Sequence, residues 1–187
     1  MNFCPDCGAR VAARPSADGF PRWHCTACCA CHYEGPRVLV WCFAHWRGAL
    51  LMCRRAEEPG KGLWNPPSGY VETGETLEAA AARELREETG VAVDPKDLGL
   101  FRVVSLPHLN QVFVGFHVEL HEAPRPVAGP EATEVRMFRE DDIPLGELAF
   151  REAIADEYPV DIFEAMRARR FVARSVSVSG AATVKGR

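Results

Sequence analysis

The amino-acid sequence reads as an α/β domain behind a small cysteine-rich ribbon. Three observations support that reading. Apolar residues alternate at period two in several short stretches between positions 38 and 138, as half-buried strands do. One segment, Thr76 to Thr89, repeats at helical spacing instead, and a second helical stretch lies between 149 and 170. Six of the eight cysteines fall within the first 31 residues.

The ribbon is expected over residues 1–34. Cys4-Pro-Asp-Cys7 and Cys25-Thr-Ala-Cys28 are two C-x2-C pairs separated by seventeen residues. Four thiolates presented from two tight knuckles suit tetrahedral Zn²⁺. Gly8 gives the backbone room to turn after the first knuckle, whereas the equivalent position of the second is Cys29. The set Cys4, Cys7, Cys25 and Cys28 is the expected one. Cys28 and Cys31 share the same spacing, so Cys31 is an alternative, and His24 and His32 are further candidates. Four protein ligands close the coordination sphere, so the ion would be structural. The competing reading is a reduced segment without metal. Cys42 and Cys53 lie in apolar strands and read as small core residues.

The domain is expected over 35–170. "RVLVWCF" and "ALLMCRR" flank "AHWRG", a β-hairpin with a glycine-containing turn. "LWNPPSGY" is a loop. The helix Thr76–Thr89 is stopped by Gly90 at C′. Strands follow near 99–106 and 111–121, the second with Val112, Val114, Phe116, Val118 and Leu120 on one face. After a Pro- and Gly-rich loop over 122–130, "TEVRMF" is a short strand, and the last helical stretch breaks near Pro159. Residues 171–187 lack clear apolar periodicity and are expected as a flexible tail.

Composition narrows the function. With 47% apolar and 26% charged residues the chain has a globular composition. Its longest apolar run, Val38 to Ala44, is too short to span a bilayer. "MNFCPDCGAR" lacks the apolar segment of a secretion signal, so the expected location is the cytoplasm and the cysteines are expected reduced. The net charge of −4 argues against a nucleic-acid partner, and "RARR" at 167–170 reads as solvated surface.

The helix "TLEAAAARELREET" concentrates carboxylates. Glu87 falls about 60° behind Glu84 and Glu88 about 40° ahead of it, so the three share an arc of roughly 100°. Leu77, Ala81 and Leu85 form an apolar stripe at one margin, and the small alanines let the helix lie close to a sheet. Glu84 and Glu88 repel at i, i+4, which helix stability does not favour. Hard oxygen ligands on a rigid helix are what Mg²⁺ or Mn²⁺ requires, and a cation offsets the repulsion. The bland reading is a solvated acidic face.

Gly69 to Val91, "GYVETGETLEAAAARELREETGV", resembles the Nudix box at every fixed position: Gly69, Glu75, Arg83, Glu84, Leu85, Glu87, Glu88, Gly90 and Val91. The resemblance implies an α/β/α sandwich with a mixed sheet, and metal-dependent hydrolysis of a nucleoside diphosphate linked to another moiety. It implies Glu87 and Glu88 as metal ligands, Glu84 as a ligand or water activator, and a backbone carbonyl around Ser68 and Gly69 as a further ligand. Arg83 and Glu75 are implied to orient these groups, with a purely structural role as the alternative; Glu72 and Glu78 read as surface or capping residues. An additional acid from a later loop is expected at Glu134, with Glu131 as the alternative; a tryptophan common in the family is Met137 here.

A cysteine ribbon ahead of such a domain resembles NADH diphosphatases and the chloroplast-type FAD and ADP-ribose diphosphatases. "LWNPPSGYVETGE", "GPEATEVRMF" and "DDIPLGELAF" resemble the second kind, and "VVSLPHLNQVFVGF" lacks the Ser-Gln-Pro-Trp-Pro-Phe-Pro stretch of the first. ADP-ribose or FAD is therefore the expected substrate, with AMP as product and NADH as the alternative. A different class, a non-catalytic nucleotide-sensing or nucleic-acid-binding module, would be expected to depart from the acidic motif. Phe101, Phe113 and His108 are candidate shelves for a planar base, and a homodimer is expected.

Overall fold

A computed structural model describes residues 1–150 and 159–178. The chain divides into two units, Met1–Pro36 and Arg37–Arg187. Among the described residues no helix is long and apolar enough to cross a membrane.

In the first unit β1 (Val11–Pro15), β2 (Pro21–Cys25) and β3 (Cys31–His32) form an antiparallel sheet in that order. Little apolar surface is available here, and Phe3, Phe20 and Tyr33 are exposed. Polar and cation–π contacts tie the strands instead: Trp23 Nε1 donates to Glu34 at 2.9 Å, and the Arg22 guanidinium lies 5.0 Å from the Tyr33 ring.

The second unit runs β4 (Arg37–Trp46), β5 (Ala49–Arg55), β6 (Trp64–Asn65), β7 (Ser68–Tyr70), α1 (Leu77–Thr89), β8 (Gly99–Leu106), β9 (Gln111–Glu119), β10 (Ala132–Arg139), α2 (Val160–Ala168) and β11 (Arg174–Ser177). Its sheet has the order β10-β5-β4-β9-β8-β11, with β6 on β5 and β7 on β4. The β4–β9 and β8–β11 pairs are parallel, while β10–β5, β4–β5, β4–β7, β5–β6 and β8–β9 are antiparallel, so the sheet is mixed.

Both faces of this sheet are covered, which is why Val40 to Ala44 is a continuous apolar run rather than an alternation. Val40, Cys42 and Ala44 pack with Ala80, Ala81 and Leu85 of α1. Trp41 and Phe43, one residue out of phase, belong to the cluster that includes Ile162, Phe163 and Ala165 of α2. The result is an α/β/α sandwich. Leu85 has no exposed surface, and burying such a side chain contributes about 1.5–3 kcal/mol.

Three boundaries differ from expectation. The hairpin turn is shorter than "AHWRG": β4 continues to Trp46, held by parallel pairing through His45↔Glu119, and Arg47-Gly48 alone make the turn with φ of 47° and 79°. Second, the expected flexible tail is a strand over Arg174–Ser177, parallel to β8. Val176 and Val178 pack against the α2-side cluster, so an alternation with serine that reads as polar in isolation is a half-buried edge strand. Third, the helix after Pro159 runs from Val160 to Ala168, with Arg169 as its left-handed C-cap; the helical expectation over 151–158 and the tail from 179 onward lie outside the described residues.

Candidate active site

Helix α1 is fixed at both ends by its own sequence. Thr76 accepts from the Ala79 N–H at 3.2 Å, and Gly90, at φ 71°, donates its N–H to Arg86 O. The apolar side of the helix meets the sheet, and its acidic side meets β7. Glu84 and Glu88 are 8% and 6% exposed, values reserved for paired or coordinated carboxylates, while Glu87 is exposed.

Strand β7 pairs Gly69 with Val40 and comes against Glu84. A Cβ at position 69 would overlap that carboxylate, with Oε2 at only 2.7 Å. Glycine is therefore required by space rather than by backbone angle. The Ser68 N–H points to Glu88 Oε1 at 3.5 Å.

Arg83 organises the opposite edge. Its Nε and Nη2 grip Glu75 at 2.9 and 3.0 Å, its Nη1 bonds Glu84 at 2.7 Å and Glu87 at 3.0 Å, and Nη2 also reaches the Tyr70 carbonyl at 3.0 Å. A planar fork can serve these partners together, and a lysine ammonium cannot. Hydrogen bonding from Arg83 holds the Glu75 carboxyl below its ordinary range.

The later acid arrives by backbone docking. Val127 and Gly129 donate their N–H groups to the carbonyls of Thr89 and Glu88 at 2.8 and 3.0 Å, on the last turn of α1. A Cβ at Gly129 would lie 2.9 Å from Glu87 C and 3.2 Å from Glu88 Cα. This contact sets Pro130 and Glu131 beside Glu84, Glu87 and Glu88 around a cavity of about 210 Å³. The structure brings Glu131, not Glu134, to the cluster. The register shift between Ala132 and Glu134 turns Glu134 toward Arg54, 3.9 Å away.

Electrostatics mark the cluster as unsatisfied by protein alone. Burial raises the Glu88 carboxyl to about 7, against opposing hydrogen bonding from the Cys53 thiol, and burial also raises Glu84. Two buried carboxylates with raised affinity for protons, a third on the same helix and a fourth on the loop form a hard oxygen donor set. That set fits a hard divalent cation, which would replace the proton.

A second cavity, about 240 Å³, adjoins the first and shares Glu88 and Glu131 with it; Cys53, Arg55, Asn65 and Tyr70 also line it. Phe101 and Phe113 are buried in the core, and neither they nor His108 line either cavity. Among the described residues the aromatic lining this cavity is Tyr70, 42% exposed, with the Arg37 guanidinium 5.1 Å from its ring and Gln111 donating to its hydroxyl at 3.2 Å. Its position directly after Gly69 was the available signal. A larger cavity of about 700 Å³, lined by His45, His117 and Phe171 among others, contains none of these acids.

In the ribbon the Sγ atoms of Cys4, Cys7, Cys25 and Cys28 lie within 4.8 Å of one another, a grouping that can hold one zinc ion. The N–H groups of Cys28 and Ala27 point to Cys25 Sγ at 3.4 Å and lower its thiol to about 6, toward the thiolate that a metal needs. Cys31 is apart, 3.9 Å from His24, while His32 Nε2 lies 3.2 Å from Cys4 Sγ. Both knuckles turn left-handed, Gly8 at φ 73° and Cys29 at φ 60°. A side chain in that conformation costs roughly 1–2 kcal/mol. Cys29→Gly is therefore expected to raise the melting temperature of the ribbon and to keep about one zinc per chain by elemental analysis. Loss of zinc in that variant would make Cys29 a ligand.

The NUDIX domain model matches residues 35–158, well over half of the chain. A crystallised NUDIX hydrolase from Nitrosomonas europaea is 36% identical, with a TM-score of 0.82 over 95% of this chain and 100% of that one. The NAD-capped RNA hydrolase NudC of Stutzerimonas stutzeri is 33% identical over 171 residues, 90% of this chain and 58% of that protein. Phosphatase NudJ of Escherichia coli is 48% identical over 61 residues, 33% of this chain and 39% of that protein. The chain thus spans little more than half the length of the first of these curated relatives and less of the second. The family match takes in every carboxylate of the cluster, the three on α1 and Glu131 on the loop, and the chain belongs to the Nudix hydrolases.

Proposed function

We propose that this enzyme hydrolyses the diphosphate bond of ADP-ribose or FAD, releasing AMP. The observation that carries the reading is the convergence of Glu84, Glu87, Glu88 and Glu131 on one cavity. Glu84, Glu87 and Glu88, with the Gly69 carbonyl, would hold Mg²⁺ or Mn²⁺. When bound, that cation neutralises charge on the phosphate oxygens and makes water more acidic. Arg83 positions Glu84 and Glu87 and, through Glu75, ties the helix to the loop before it. Glu131, exposed at the edge of the cluster, takes the proton of the attacking water. Tyr70 offers a ring face to a planar base, and Arg55 offers positive charge within the same cavity.

A second reading, an NAD-type dinucleotide as substrate, is supported by the similarity to NudC over 90% of this chain. Against it stands the segment after the box, "VVSLPHLNQVFVGF", which lacks the family's NADH-type stretch. The ribbon is proposed to hold a structural Zn²⁺ on Cys4, Cys7, Cys25 and Cys28, and the protein to dimerise.

The test is a panel of ADP-ribose, FAD, NADH, coenzyme A and 8-oxo-dGTP with Mg²⁺ or Mn²⁺, reading AMP or phosphate release. AMP is expected from ADP-ribose or FAD with the highest kcat/KM. NADH ahead of both selects the second reading, and no turnover of any member removes the first.

A further inference from the structure

Asn65 is 2% exposed, and it lines the cavity that contains Glu88, Glu131 and Tyr70. Its amide nitrogen is fully used: Nδ2 donates to the Pro66 carbonyl at 2.8 Å and to Ser68 Oγ at 2.9 Å. The orientation of the amide is not arbitrary. A carbonyl oxygen can only accept, so the NH2 end must face Pro66 and the oxygen must face the other way. That oxygen, Oδ1, is buried and has no protein partner among the described residues. An unpaired buried acceptor costs on the order of 1–3 kcal/mol. Strand β6 nevertheless fixes the residue firmly, pairing Asn65 with Cys53, whose thiol lies against Glu88.

An unpaired acceptor on a residue that shares a cavity with Glu88 and Glu131 calls for a donor with two hydrogens, one for the amide oxygen and one for a carboxylate. Building on the hydrolytic reading above, we infer that Asn65 Oδ1 accepts one hydrogen of the attacking water while Glu131 accepts the other, which turns a lone pair of the water toward the phosphorus. The water oxygen forms the new P–O bond. The bridging P–O bond breaks, its electron pair leaves on the departing phosphate, and the proton removed from the water passes to the Glu131 carboxylate. Asn65 takes no proton; it restricts the water to one orientation, and orientation is a large part of such a barrier.

The role predicts where the effect falls. The water is common to every substrate, so Asn65→Ala should lower kcat by at least ~10-fold for each panel member the wild type turns over. KM and the Mg²⁺ concentration for half-maximal rate should each stay within about threefold, because Asn65 holds neither base nor cation. A change confined to KM, a loss for one substrate only, or an unchanged kcat overturns the inference. If Asn65→Ala shows no cooperative melt, wild-type crystals grown with Mg²⁺ and an α,β-methylene analogue of ADP-ribose decide. Water within roughly 3.2 Å of Oδ1 is expected; a substrate atom in that place, or nothing, overturns it. Failure of the underlying reading is distinguishable: there, either the wild type turns over no panel member or Glu88→Gln itself retains turnover. An inert Glu88→Gln beside a fully active Asn65→Ala sinks the role of Asn65 alone.

Discussion

Glu88→Gln will lower turnover by at least ~100-fold and will make the cation-free protein more stable at pH 8. Loss of groups that merely support a metal ligand costs about 10–100-fold, and an amide in place of a ligand carboxylate removes the charge itself. The stability gain comes from the same burial. Unfolded Glu88 titrates near the ordinary value of 4.5, and in the fold it is pushed up to about 7. Between those values the folded protein keeps a proton that the unfolded chain has released. The favourable contribution is therefore complete below pH 4.5 and is lost as pH rises through about 7. Glutamine does not titrate. Thermal melts in chelator should show Glu88→Gln above wild type at pH 8, with the gap closing at pH 5. Any zinc in the ribbon is stripped from both proteins alike, so it does not enter the difference. Parallel melts at both pH values would contradict the assigned burial, and near-normal rates would contradict the assigned ligand.

Gly69→Ala should be nearly as damaging by a different route. The added methyl overlaps the Glu84 carboxylate, and β7 cannot retreat because it is paired with β4 through Leu39, Val40 and Trp41. Glu84 must swing away, which breaks its 2.7 Å bond with Arg83 and moves a ligand by about an ångström. Displacements of that size reduce rate by about 100-fold. The variant should fold normally, since the overlap is with the movable end of the Glu84 side chain and not with backbone. Steady-state rates and circular dichroism check both halves; a rate within threefold of wild type would show that Glu84 relaxes without consequence.

What the sequence revealed depended on how local the cause was. Thr76, Gly90 and the Leu77, Ala81, Leu85 stripe act within a few residues, so α1 was legible to its ends. The two C-x2-C pairs carry their own geometry, and the structure groups the expected four sulfurs. Strand β11 was not legible, because its partner β8 lies some seventy residues earlier and its valines alternate with serine. The choice between Glu131 and Glu134 turned on tertiary facts, the register shift at Thr133 and the docking of Gly129. Phe101 and Phe113 looked available for a ligand because a sheet covered on both faces gives no alternation to reveal which side is inward. Asn65 gave no signal of its own: its importance lies in which of its two amide ends is left over.

The attachment of the 127–131 loop to the end of α1 runs through main-chain atoms. Nothing in that grip depends on the identity of the side chains before it, so residues 122–126 can change in sequence and even in length without shifting the carboxylate downstream. Variation among paralogues, and any attempt to graft a new recognition element, has room there, whereas position 129 is closed to every amino acid that carries a β-carbon.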